Sequence, residues 1–172
     1  MANGGKVPTK IFLRLTLFIS TSFLISCMDQ HTKNAVRGTF ELGERSIVIP
    51  KFFDVTFSFN RGVAFGMLSD LVGANTLLIF LTSLIALVVF YIGIFKTETK
   101  SEYVCYSFIF GGALGNIVDR LLHGAVVDWL SFHVSYKYYY PTFNLADSFI
   151  VVGILLLMFN LLLKKRMPSS VS

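Results

Sequence analysis

Residues 71 to 95, LVGANTLLIFLTSLIALVVFYIGIF, contain no charged side chain. About 20 apolar residues in a helix cross the roughly 30 Å hydrocarbon core of a bilayer. The stretch therefore predicts a transmembrane helix, and the rest of the chain must fold around it. Three further segments have a similar character: 11–28, with Arg14 able to snorkel near its start; 103–123; and 143–163, interrupted by Asn144, Asp147 and Asn160. Only 15% of residues are charged and 54% are hydrophobic. A soluble domain carries about 25% charged residues. The 172 residues predict a single integral membrane domain, 1–172, of the all-α membrane class with four transmembrane helices.

The charges orient these spans. Lys6, Lys10 and Arg14 lie at one end, and Lys164, Lys165 and Arg166 at the other. Basic residues flanking apolar spans mark the cytoplasmic side, so an even number of spans predicts both termini inside. The net charge of +5 sits at these two ends, which argues against nucleic acid as a partner and for membrane lipids. Segment 29–70 then faces outside, where its five basic and five acidic residues cancel. It is too long for a bare connector. VTFSFN (55–60) alternates apolar and polar residues, which is strand periodicity. A small extracytoplasmic β element is expected over about 40–66. Loop 124–142 is also expected outside, with Trp129 and YKYYYP suited to a membrane interface. Cys27 and Cys105 fall near opposite faces, so no disulfide is expected.

Ionisable groups inside a bilayer are expensive, and their default reading is functional. Asp29, Asp119, Asp128 and Asp147 sit near the outer ends of spans. Two carboxylates held close together share a proton, because both cannot ionise cheaply. One then acts as base toward a water while the other donates a hydrogen bond, which is equipment for amide hydrolysis. A buried polar pair that holds helices together has the same signature. At 1.5 Å per residue, Asp119 lies about 24 Å along a helix starting at Tyr103. Asp128 overshoots unless the helix breaks near Gly124. Spacing leaves Asp119 and Asp128 equal as partners for Asp147. Asp119, next to Arg120, also reads as a local structural charge. His31, His123 and His133 show no metal-ligand spacing, and Gly111 and Gly115 form a GxxxG that suits close helix contact.

MDQHTK (28–33), FNRGVAFGM (59–67), GGALGNIVDRLLHGAVVDWL (111–130) and FNLADS (143–148) occur in this order. Together they resemble bacterial lipoprotein signal peptidase, also called signal peptidase II. The resemblance runs from the first span to the fourth. It implies an aspartic endopeptidase of the bacterial inner membrane, sensitive to globomycin. Such an enzyme cuts prolipoproteins just before a diacylglyceryl-modified cysteine and uses no metal or cofactor. It also implies that Asp128 and Asp147 form the catalytic dyad, which spacing does not decide. Asn60, Asn116, Arg120 and Asn144 match the family's supporting, substrate-binding positions. Asp29 matches a structural anchor. A monomer is expected, with lipids and diacylglyceryl-prolipoproteins as partners. NRGVAFG and the β element would cover the cleft.

Leu24-Ile25-Ser26-Cys27 itself reads as a lipobox. Cleavage there would leave three further spans, and 11–28 is longer than the short apolar region of a signal peptide. The family's DQHTK pattern follows at once. The segment is read as a first span that resembles a lipobox by composition. Two other classes stay open on the residues alone: an acylated membrane anchor using Cys27, and a proton-coupled carrier using the same carboxylates.

Overall fold

A computed structural model describes residues 6–62, 74–97 and 99–166. The order is α1 (Lys6–Thr39), β1 (Arg45–Ile49), β2 (Phe53–Asn60), α2 (Ala74–Phe95), α3 (Lys100–His123), β3 (Val126–Val134), β4 (Tyr138–Tyr139) and α4 (Leu145–Arg166). α1, α2 and α4 are long and apolar enough to cross a membrane. At 1.5 Å per residue, the 24 residues of α3 extend about 36 Å, but they include the charged Lys100, Glu102, Asp119 and Arg120. α3 is the central helix and packs against the other three. The outer helix faces carry large exposed apolar side chains, Leu13, Phe80, Leu87 and Leu155 among them. That pattern suits helices whose solvent is lipid.

Small residues let the helices approach α3. A Cβ on Gly111 would stand 2.7 Å from the Ser22 carbonyl oxygen of α1, and one on Gly115 would stand 2.5 Å from Asp29 Oδ2. Gly153 of α4 lies as close to the Cys105 carbonyl of α3. The GxxxG expectation thus falls on the α1–α3 seam.

α3 begins with a capping box, in which Thr99 Oγ1 accepts from Glu102 N and Glu102 Oε2 accepts from Thr99 N. It ends at Gly124, whose φ of 70° is left-handed and whose N–H donates to the Arg120 carbonyl. A residue with a Cβ resists that conformation. The chain then leaves the helix axis as β3, so Asp128 stands on a strand.

The four strands form one antiparallel sheet in the order β1-β2-β3-β4. β1 and β2 lie within the expected 40–66 region, and residues 63–66 lie outside the described residues. Segment 124–142, expected as a loop, supplies β3 and β4. Between Val55 and Ser58 the β2–β3 register shifts: Val55 pairs with Leu130, but Ser58 pairs with Asp128. β2 has an extra residue there, a β-bulge. One face of the sheet packs Phe57 and Val127 against Val36 of α1, with Phe59 and Trp129 alongside. The other face carries Ser58, Asn60 and Asp128.

α1 runs well past the expected end at 28. Its polar continuation, Asp29 to Thr39, stays helical because Asp29 and Lys33 bury against α3 and pair across one turn, 2.7 Å apart. Cys27 is exposed and Cys105 is buried, and both are free thiols.

Candidate active site

The site forms where β2, β3, the end of α3 and the start of α4 meet. α4 begins after Asn144, which acts as its N-cap. Asp147 N donates to Asn144 Oδ1 at 2.9 Å, and Asn144 N donates to Asp147 Oδ2 at 3.3 Å. The next free N–H, that of Ala146, donates to Asp29 Oδ1 at 2.9 Å. Asp29 thereby ties α1 to the N-terminus of α4, where a negative charge is favoured.

Asp128 and Asp147 face a common cavity of about 1200 Å³, which Asn60, Asn116 and Arg120 also line. Each carboxylate accepts two N–H donors. Asp128 Oδ2 accepts from Asn60 Nδ2 at 3.0 Å, and its Oδ1 accepts from Asn144 Nδ2 at 2.8 Å. Asp147 Oδ1 accepts from Asn116 Nδ2 at 2.8 Å, and its Oδ2 takes the Asn144 backbone donor. Asn144 also donates to Asn116 Oδ1 at 3.1 Å. Asn144 is fully buried and lies behind the two aspartates, outside the cavity lining. Arg120 lines the cavity with its Nη1 buried and without a hydrogen-bond partner among the described residues.

Burial pushes the Asp128 carboxyl up to about 7, and the neighbouring Asp147 charge adds to the rise. The Asn60 and Asn144 donors pull the other way without overcoming burial. Asp128 is therefore equipped to hold a proton near neutral pH.

Asp119 goes elsewhere. Its Oδ2 pairs with Lys33 Nζ at 3.0 Å and accepts from Val127 N at 2.9 Å, and its Oδ1 accepts from Gln30 at 2.8 Å. The two aspartates part at the Gly124 turn: Asp119 stays on the helix within the α1 network, and Asp128 reaches the cavity. Lys33, Gln30 and Ser58 belong to this constellation and were not singled out for it by sequence reasoning. The i, i+4 spacing of Asp29 and Lys33 was the available signal for Lys33. Ser58 donates to the Asp128 carbonyl at 3.2 Å, and nothing in its sequence context marks it.

A family model described as signal peptidase (SPase) II matches residues 21–163. The chain belongs to the signal peptidase II family. It is 38% identical over 160 residues to the lipoprotein signal peptidase of Staphylococcus carnosus (strain TM300), covering 90% of this chain and 94% of that one. It is 41% identical over 134 residues to the lipoprotein signal peptidase of Neisseria meningitidis serogroup C (strain 053442), covering 75% and 79%. A solved bacterial membrane enzyme, determined by the in meso method at 2.3 Å resolution, superposes with a TM-score of 0.78 and 32% identity. That match covers 91% of this chain and 95% of the other. As a signal peptidase II the chain is a multi-pass membrane protease, and its family cleaves the signal peptides of prolipoproteins.

Proposed function

We propose that the chain is an intramembrane aspartic endopeptidase that cleaves diacylglyceryl-modified prolipoproteins immediately before the lipidated cysteine. The observation that carries this reading is the convergence of two aspartates from different elements, Asp128 of β3 and Asp147 of α4, on one cavity. Asp147 sits in the first turn of α4 and faces Asp128 across the cavity. Asp128 carries the proton. Asp147 takes a proton from a water, and the water oxygen bonds to the scissile carbonyl carbon. Asp128 gives its proton to the carbonyl oxygen. Asp147 then passes the proton taken from the water to the amine as the C–N bond breaks, and Asp128 takes a proton back from a diol hydroxyl, leaving a carboxylic acid and the starting dyad. No covalent enzyme intermediate forms.

Asn60 and Asn144 hold Asp128, and Asn116 holds Asp147. Arg120 Nη1, without a partner among the described residues, serves a carbonyl of the substrate backbone. Asp29, Gly111 and Gly115 fasten the helices behind the dyad. The single domain crosses the bacterial inner membrane four times as a monomer with both termini in the cytoplasm. The dyad lies near the extracytoplasmic face, where the substrate enters sideways and leaves its acyl chains in lipid.

The test is cleavage of a synthetic diacylglyceryl-modified prolipoprotein by the purified protein in detergent, with and without globomycin. Globomycin-sensitive cutting before the modified cysteine is expected. An intact substrate with a folded protein would overturn the reading.

A further inference from the structure

Lys33 is a costly buried group that the mechanism does not use. Its side chain is 1% exposed, on the inner face of α1. Removing an ammonium from water costs several kcal/mol even after relaxation. One carboxylate would neutralise it, yet it has two, Asp29 Oδ2 at 2.7 Å and Asp119 Oδ2 at 3.0 Å. Its third contact is the Asn116 side-chain oxygen at 2.9 Å. An ammonium has three donors and no acceptor, and these three acceptors use all of them.

The third contact has directional consequences. A side-chain amide presents an oxygen on one side and an NH₂ on the other, and only partners decide which way it turns. Lys33 accepts nothing, so Asn116 must turn its oxygen toward it. The Asn116 NH₂ is then forced toward Asp147, where it donates to Oδ1. The same oxygen takes an N–H from Asn144, which fixes the Asn144 NH₂ on the side of Asp128. The Asn144 oxygen is left for Asp147 N. One buried ammonium thereby sets the donor direction of two amides. With both flipped, each would place an oxygen against a carboxylate.

We propose that Lys33 is a positioning residue for the aspartate dyad, acting through Asn116 and Asn144 without touching substrate. This rests on the dyad reading above. The competing possibility is that Lys33 only neutralises Asp29 and Asp119 for folding.

A double-mutant cycle separates the two. The neutral triple variant Lys33→Met, Asp29→Asn, Asp119→Asn removes the ammonium together with the two charges it balances. It is made in the otherwise unchanged chain and in Asn116→Ala, and cleavage of a diacylglyceryl-modified substrate is followed. In the chain that keeps Asn116, kcat should fall about 100-fold, the scale of a misaligned reacting group, with KM little changed. With Asn116→Ala the same three changes should cost almost nothing more in kcat. An unchanged kcat, or an equal loss in both backgrounds, would overturn the proposal. Failure of the unaltered chain to cleave would instead count against the dyad reading. Thermal melting confirms folding. If the triple variant unfolds, Lys33→Arg takes its place, because it keeps the charge but spreads its donors in a planar fork that converging acceptors do not match. Folded Lys33→Arg with reduced kcat and unchanged KM supports positioning, and undiminished kcat contradicts it.

Discussion

Asn144 and Asp147 cap each other at the start of α4, through Asp147 N to Asn144 Oδ1 and Asn144 N to Asp147 Oδ2. The residue that begins the helix also holds both aspartates. Asn144→Ala should therefore lose about 1 kcal/mol of stability, the usual worth of an N-cap, and also much of its kcat. Asn144→Ser keeps a capping oxygen but not the amide that reaches Asp128. It should recover the melting temperature and leave kcat low. Joint recovery of both would show that the cap alone matters.

Asp128→Asn and Asp147→Asn should each lower the cleavage rate by about 1,000-fold or more, the scale of a lost general acid or base. The protein should stay folded and inserted. The check is single-turnover cleavage with purified variants alongside their melting curves. A folded variant that keeps its rate would remove that aspartate from the chemistry.

The raised Asp128 carboxyl sets a pH dependence. Its folded value of about 7 lies above the ordinary 3.8. Asp147 faces it from α4, Lys33 from α1 and Arg120 from α3. The folded state holds this proton more tightly than the unfolded chain, so the stabilisation is complete below pH about 4. It is lost as pH rises through about 7. The singly protonated dyad disappears over the same upper limb, so the cleavage rate should fall above pH about 7. Asp128→Asn should flatten the dependence of melting temperature on pH in that window. An unaltered slope would assign it to other groups.

Gly111→Ala should destabilise the protein by about 1–3 kcal/mol, the cost of overpacking. The added methyl would meet the Ser22 backbone, which cannot rotate away. Gly115→Ala meets the Asp29 carboxylate instead. It should disturb the hold on Ala146 and Lys33, lowering cleavage as well as stability. Melting and cleavage assays on the two variants should therefore diverge, with activity per folded molecule reduced only in the second.

The sequence shows the apolar helices because lipid-facing residues need no particular partner, and composition alone reports them. It shows the end of α3 through Gly124, whose conformation is written in its residue type. The polar part of α1 is less legible. Hydropathy stops at Met28, but Asp29 and Lys33 are helical because of partners on α3, which a linear reading does not contain. β3 is hidden for a related reason. VVDWLSFHV is a strand by virtue of pairing with β2 and β4, and its aromatic residues read equally well as an interfacial loop. The roles of Asn60, Asn116 and Asn144 came from family resemblance. An asparagine carries no sign of which carboxylate it will meet.

The bulge in β2 has a consequence for side-chain parity. With uniform pairing from Val55–Leu130 onward, Phe57 would oppose Asp128 and Phe59 would oppose Val126. Phe59 would then share a face with the aspartate, and Asn60 would point toward α1. The extra residue reverses the alternation, so that Ser58 opposes Asp128 and Asn60 opposes Val126. Closing the bulge with all residues kept would exchange an amide for a benzyl ring beside Asp128, whereas deleting one residue between Val55 and Ser58 would straighten β2 and keep Ser58 opposite Asp128. The chemical identity of the pocket wall is thus held by a count of residues as much as by their kinds.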